Sequence, residues 1–259
     1  MFKGTYAGNL EEIDFIKLFN SSKENFRYFL DNFPSFNNLW MVRVTTKQLS
    51  KLNGKKVFTR SDCYLANFNI NMKTILLENN YLLTEDILEQ YHINFIKVPY
   101  SGISIKMASS NNYQILKVGP NSFKELFGSF ELGAGASLFC QKQNELPKNS
   151  DLITGWHTSI DKMINFFYDY TNGYSDFYLN QDICTKIKQF SCLKIKEMIE
   201  KSQELKEKIF NGKWLYEEPY TAYYFYHGEN ITKLVTFPFS VTTGSGRSKG
   251  DYTIVLKPR

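Results

Sequence analysis

The strongest constraint on the fold is the alternation of strand-like and helical segments along the first half of the chain. Residues 55–70 and 95–107 have the composition of strands, and the second segment is interrupted by Pro99 and Gly102. A helical segment at 84–91, which begins with a capping threonine, lies between them. This order predicts an α/β protein with a mixed central β-sheet flanked by helices, with α+β as the alternative class.

Side-chain alternation along the two strands groups a small set of polar residues. Asp62 is expected on the face opposite Cys63, and Ser104 and Lys106 are expected together on the face opposite Ile105. A carboxylate can hold a divalent cation against a phosphate, and a lysine can orient or activate water and offset negative charge. The two strands therefore predict a cluster suited to phosphodiester hydrolysis.

Two short motifs carry a resemblance to a known family. Ser61-Asp62 and Ser104-Ile105-Lys106 resemble the core of the PD-(D/E)xK nucleases, most of all the type II restriction endonucleases. In that superfamily a Pro-Asp or Ser-Asp pair opens one strand, and an acid-x-Lys triplet lies on the next. Serine replaces the acid here, and some restriction enzymes also carry a neutral residue at that position. The resemblance covers residues 55–135, about a third of the chain.

The resemblance implies a reaction and a set of site residues. Mg²⁺ would bind Asp62 and the main-chain carbonyl of Ile105, while Lys106 would assist the attacking water and Ser104 would complete the catalytic set. The expected activity is sequence-specific cleavage of double-stranded DNA by a monomer or a homodimer. The second acidic ligand stays open among three candidates, Glu11, Glu12 and Glu78. The alternative is a non-catalytic nucleic-acid-binding protein, which the serine at position 104 favours.

Four further residues are expected to contact DNA. Residues 103–118 are interpreted as a β-hairpin whose second strand carries Gln114 and Lys117, and a glutamine amide can pair with an adenine edge. The glycine-rich loop 244–250 carries Arg247 and Lys249, and cations with flexible backbone suit phosphate contact.

The remaining periodicity predicts the outline of the rest of the chain. Helices are expected at 10–19, 23–32 (capped by Ser22), 46–52, 121–130 (capped by Asn121 or Ser122), 159–170 and 182–210, and strands at 40–44, 220–226, 234–241 and 251–256. Pro147–Asp151 is the best boundary candidate. It separates a nuclease core, 1–148, from a C-terminal portion, 149–259, that would help to grip DNA, unless both form one continuous domain.

Composition excludes several classes of protein. The 259 residues are 42% hydrophobic, which suits a globular chain, and the net charge of +5 permits a polyanionic partner without requiring one. The four cysteines form no CxxC pair, so a zinc ribbon is not expected. No apolar leader or membrane-length apolar run is visible, and the chain is expected to be cytoplasmic. Neither a hydrolase elbow nor a dinucleotide-binding glycine motif occurs.

Overall fold

The chain forms two compact units, each built from two separate segments. The structure is a computed structural model that describes residues 3–45, 60–106, 113–139, 149–235, 238–243 and 252–259. Unit 1 comprises Met1–Asn111 and Glu207–Thr236, and unit 2 comprises Asn112–Lys206 and Phe237–Arg259. This division differs from the single boundary after residue 148 expected from the sequence, because late strands of the chain pair with early ones in both units.

Unit 1 holds a six-stranded sheet, and most of its helices come from the first ninety residues. Its strands are β1 (Leu39–Arg43), β2 (Cys63–Phe68), β3 (Phe95–Lys97), β4 (Ile103–Ile105), β6 (Tyr224–Tyr226) and β7 (Ile231–Lys233). Its helices are α1 (Lys3–Ser21), α2 (Arg27–Leu30) after a 3-10 turn (Lys23–Phe26), α3 (Lys73–Glu78), α4 (Glu85–Gln90) and a π-helical turn (Glu207–Asn211).

The sheet of unit 1 is mixed. Its strands follow the order β1-β2-β4-β6-β7, and β3 pairs with the end of β2 beyond its contact with β4. The pair β4 and β6 is parallel, whereas the other pairs are antiparallel. The prediction of an α/β protein with a mixed sheet flanked by helices is therefore confirmed.

Helices cover both faces of this sheet because its strands are apolar on both sides. On one face, Phe15 and Phe19 of α1 belong to a buried cluster with Leu65 of β2 and Ile105 of β4. On the other face, buried side chains of β1 and β2 cluster with residues of α3 and α4. The start of β2 and the end of β4 thus belong to a sheet that has buried apolar clusters on both faces.

The predicted hairpin over residues 103–118 is wrong. Both edges of β4 are occupied within unit 1, by β2 on one side and by β6 on the other. The following strand, β5 (Leu116–Val118), pairs instead with β9 (Ile254–Pro258) in unit 2. The main-chain hydrogen bonds of β4 and β5 are therefore made with strands that are distant in the sequence, and not with each other.

Unit 2 combines a small antiparallel sheet with a helical layer. Its sheet has the order β5-β9-β8, where β8 is Phe239–Thr243. Its helices are α5 (Pro120–Phe127), α6 (Phe130–Ser137), α7 (Asn149–Gly155), α8 (Ile160–Phe166), α9 (Tyr168–Thr171), α10 (Gln181–Lys201) and α11 (Gln203–Lys206), with a 3-10 turn at Phe177–Leu179. Small residues in α6 permit close packing: a Cβ on Gly135 would lie 2.5 Å from the Ser191 hydroxyl of α10.

Several predicted element ends are corrected. The hydroxyl of Ser22 makes no capping hydrogen bond, and a 3-10 turn followed by a single helical turn replaces the helix expected over 23–32. Gly119, and neither Asn121 nor Ser122, caps α5. The predicted strand 234–241 is replaced by β7 and β8, which belong to different sheets. The predicted helix 46–52 and the residues Arg247 and Lys249 lie outside the described residues.

One helix start was predicted correctly. Thr84 caps α4, where its hydroxyl accepts a hydrogen bond from the Ile87 amide. Among the described residues, no helix has the length and apolar character needed to span a bilayer.

Candidate active site

Asp62 lies directly before β2 on a backbone that is held from three sides. Its amide donates to the carbonyl of Ile103 in β4, and its own carbonyl accepts from the amide of Val44. The preceding residue, Ser61, donates its amide to the carbonyl of Tyr220. The position of the Asp62 side chain is therefore fixed by main-chain contacts to several segments of unit 1.

One oxygen of the Asp62 carboxylate, Oδ2, makes the hydrogen bonds and the ion pair that link this side chain to described residues. Oδ2 accepts a short hydrogen bond of 2.6 Å from the amide of Ile105 and a weaker one of 3.4 Å from the hydroxyl of Ser104. The Lys106 Nζ atom lies 4.0 Å from the same oxygen. No described residue donates to Oδ1, which leaves that oxygen available to a ligand.

Ser104, Ile105 and Lys106 reach Asp62 because β4 runs alongside the start of β2. The amide of Lys106 donates to Tyr226 of β6, whereas the amide of Ile105 points the other way, toward Asp62. Because the N–H and C=O groups of one strand residue point to the same side, the Ile105 carbonyl faces the side of Asp62 as well. The structure thus brings together all four site residues that the two motifs suggested.

A second carboxylate, that of Glu12 in α1, lies near this cluster. Its Oε2 accepts hydrogen bonds from Arg43 of β1, at 2.7 Å from one terminal guanidinium nitrogen and 3.2 Å from Nε. The same terminal nitrogen also donates to the side-chain oxygen of Asn9. No described residue donates to Oε1 of Glu12, so this carboxylate also keeps one oxygen open.

The charges of these groups influence one another. Burial raises the pKa of Glu12 above its ordinary value of 4.5, and the negative charge of Asp62 raises it further, while Arg43 and Lys106 oppose the shift. The buried thiol of Cys63 responds in the same way: burial raises its pKa, and the charges of Asp62 and Glu12 add to the effect. Arg43 and Lys106 offset part of the repulsion between the two carboxylates, and Arg60 also interacts electrostatically with Asp62.

The chemistry of the oxygens fits a hard divalent cation. Mg²⁺ prefers oxygen ligands and is usually bound by one or two carboxylates together with water and substrate phosphate. Asp62 Oδ1, Glu12 Oε1 and the Ile105 carbonyl are oxygens of this kind. Within the described ranges, no three His, Cys, Asp or Glu side chains form a metal-binding group, so a closed structural site is not found there. An open site with few protein ligands is the arrangement that these residues can form.

The structure also describes four of the remaining candidates: Gln114, Lys117, Glu78 and Glu11. Gln114 and Lys117 are exposed and belong to unit 2, where Lys117 lies on β5. Glu78 lies at the end of α3 and accepts a hydrogen bond from the Tyr91 hydroxyl. Glu11 neighbours Glu12 on α1, and Glu12 forms an ion pair with Arg43. The charge of Asp62 raises the pKa of Glu12, which indicates that this carboxylate lies near the cluster.

Arg43 was missed by the sequence reasoning. Its only signal was a charged residue at the end of an otherwise apolar strand, Leu39–Arg43, where unpaired charge is rare. Its partner comes from a helix thirty-one residues earlier, and no local pattern links the two positions.

No protein-family model matches the chain, and no curated protein matches it significantly.

Proposed function

We propose that the protein is a metal-dependent nuclease of the PD-(D/E)xK type that cleaves double-stranded DNA at specific sequences. The observation that carries the proposal is the convergence of Asp62 and Lys106, whose charged atoms lie 4.0 Å apart at the junction of β2 and β4. Their side chains are only 23% and 27% exposed, so neither is an ordinary solvated surface charge.

In this proposal Asp62, Glu12 and the Ile105 carbonyl hold one Mg²⁺. The bound cation would polarise the scissile phosphate and promote deprotonation of water at neutral pH. The Ile105 amide and Ser104 hold Asp62 Oδ2, so that its second oxygen faces the ligand. Arg43 similarly fixes Glu12 through Oε2. These contacts provide a preorganised carboxylate pair without the acid that usually stands at position 104.

Lys106 has a separate role in the reaction. Its amine lies 4.0 Å from the Asp62 carboxylate and can donate a hydrogen bond to the attacking water or to a phosphate oxygen. A positive charge at that place offsets the negative charge that builds up as the phosphorus–oxygen bond breaks. The products expected of this chemistry are 5′-phosphate and 3′-hydroxyl ends.

The test is digestion of unmethylated phage DNA by the purified protein with Mg²⁺ or Mn²⁺. Wild-type protein is expected to produce discrete bands, and Asp62→Asn and Lys106→Met are each expected to reduce the rate by about 100-fold or more. The side-chain oxygen of the Asp62→Asn variant can still accept the hydrogen bond from the Ile105 amide, so loss of activity would report charge and metal binding rather than local unfolding.

Matched controls separate the site from general effects of charge. Lys97→Met makes the same change in a lysine that is 34% exposed and pairs with Glu85 near the other end of β2. Asp31→Asn neutralises an exposed aspartate paired with Arg27. Both variants should cleave DNA like the wild type. If Asp62→Asn and Lys106→Met also do so, the assignment of the site is wrong.

The serine at position 104 favours one alternative, a protein that binds nucleic acid without cleaving it. Under this alternative the wild type would bind DNA with an affinity that falls steeply with salt, and no condition with Mg²⁺ or Mn²⁺ would give cleavage. For the nuclease we further propose action in the cytoplasm, as a monomer or homodimer, with unit 2 contributing Gln114 and Lys117 to the DNA contact. Sedimentation of the protein alone and with DNA distinguishes the two oligomeric states.

A further inference from the structure

Two exposed aromatic residues of unit 1 have an unusual backbone conformation. Trp214 is 69% exposed and has φ of +68°, and Tyr100 is 59% exposed and has φ of +60°. Bulky residues rarely adopt positive φ, because the side chain then crowds the backbone. Because these rings are exposed to solvent, packing contributes little to offset the strain of this conformation. Residues with strained backbone conformations are concentrated at ligand-binding sites.

Both residues lie close to the segment that leads into Asp62. A Cβ on Gly212 would lie 2.3 Å from Cγ of Arg60, and a Cβ on Gly102 would lie 3.0 Å from Cβ of Ser61. Trp214 and Tyr100 are each two residues from one of these glycines. Two residues span at most about 7 Å of chain, so the Cα atom of each aromatic residue lies within about 7 Å of a glycine that contacts the segment leading into Asp62.

A cation lies beside Trp214, and an aromatic ring and the Glu218 carboxylate lie beside Tyr100. The Lys213 Nζ atom lies 5.2 Å from the centre of a Trp214 ring, and it also forms an ion pair with Glu207. The Tyr100 ring packs edge-on against Tyr223, with the ring centres 5.3 Å apart. An aromatic face beside a cation can receive a base and the phosphate attached to it.

We infer that Trp214 and Tyr100 form an aromatic surface on which unpaired nucleobases of the bound DNA strand stack, next to the phosphate held at Asp62. This inference rests on the proposed function, because the cleavage site determines which strand passes the surface. Every base has a π face, so stacking of this kind contributes affinity without selecting sequence. It would hold a strand whose bases have been separated from their partners near the scissile bond.

The test compares two single-stranded probes by tryptophan fluorescence in the absence of divalent metal. One is a fifteen-nucleotide oligothymidylate, and the other is a fifteen-unit abasic strand with the same phosphates and no bases. Among the three tryptophans, Trp156 is fully buried and Trp40 is partly buried, so Trp214 is the one that a base can reach. We expect the oligothymidylate, and not the abasic strand, to quench the fluorescence.

Variants locate the effect. Trp214→Ala is expected to weaken oligothymidylate binding between about fivefold and about 100-fold, the range found when one base–aromatic stack is removed, and Trp214→Phe should recover most of it. Tyr100→Ala should weaken binding to a similar extent. Tyr91→Ala is the control, because it removes another exposed aromatic ring of unit 1. Fluorescence polarisation of labelled probes measures all four variants.

Three results would overturn the inference. The first is equal binding of the abasic and thymidylate strands, and the second is no binding of either strand. The third is a Trp214→Ala variant that changes the sedimentation coefficient but not the DNA affinity, which would identify the surface as an interface between copies of the chain. Failure of the nuclease proposal looks different: oligothymidylate would bind and quench as expected while the wild type leaves phage DNA intact in Mg²⁺.

Discussion

Removal of Arg43 is expected to destabilise the protein in a manner that depends strongly on pH. The change Arg43→Met leaves Glu12 without its partner, and these two side chains are only 18% and 23% exposed. Loss of one partner costs about 3–5 kcal/mol for a fully buried pair, whereas an exposed pair contributes about 0–1 kcal/mol. With one fifth of each side chain exposed, we expect a loss of about 2 kcal/mol in the free energy of unfolding at pH 8.

The sign of the pH dependence follows from the pKa of Glu12. Burial and Asp62 raise it above 4.5 in the folded protein, so the folded state binds this proton more tightly than the unfolded state does. The resulting stabilisation is fully present below the unfolded pKa and is lost as the pH rises through the folded pKa. Arg43 lowers the pKa of Glu12, so removal of Arg43 raises that pKa further and increases the loss in the free energy of unfolding at high pH. At pH 4, below the raised pKa of Glu12, the cost of Arg43→Met should be clearly smaller.

The assay is urea unfolding at pH 8 and pH 4, followed by fluorescence, with Trp40 reporting from β1. At pH 8 the double variant Glu12→Gln/Arg43→Met should lose less free energy of unfolding than the sum of the losses in the two single variants. Arg27→Met is the control, because its pair with Asp31 is exposed and its loss should cost less than about 1 kcal/mol. An equal cost of Arg43→Met at both pH values, or additive single effects, would show that the charge of Glu12 is not the source of the instability.

Three other changes have definite expected outcomes. Asp62→Asn should lower the pKa of Glu12 toward its ordinary value, since the charge of Asp62 raises it, and a ¹³C titration of the carboxyl carbon that finds no change would contradict this. Gly102→Ala should destabilise the protein by more than about 1 kcal/mol, because the added Cβ would lie 1.9 Å from the Thr221 carbonyl; thermal unfolding at the wild-type temperature would count against that contact. Thr84→Ala should cost about 1 kcal/mol through loss of the α4 cap, and urea unfolding that shows no loss would contradict the role of the cap.

The parts of the fold that depend on local sequence could be predicted. Thr84 precedes an apolar run with the spacing of a helix, and its capping role follows from that pattern alone. The grouping of Ser104 and Lys106 with Asp62 follows from strand alternation once the two strands are taken to be neighbours. Pro99 and Gly102 correctly marked the break between β3 and β4.

The parts that depend on distant segments could not be predicted. The edge of β4 pairs with Tyr224–Tyr226, about 120 residues later, and nothing near residue 103 indicates that partner. A turn-forming pair of asparagines lies close at hand, and for that reason the local pattern favours a hairpin instead. The choice of Glu12 over Glu11 depends on which side of α1 meets Arg43, and helix packing on a sheet sets that orientation.

The most direct test of the proposed site is the rate at which folded wild-type and Asp62→Asn proteins cut unmethylated phage DNA in Mg²⁺, measured side by side. We expect discrete fragments from the wild type and at least about 100-fold slower cutting by the variant. Equal rates for the two proteins, or no cutting by wild-type protein with either Mg²⁺ or Mn²⁺, would contradict the proposal.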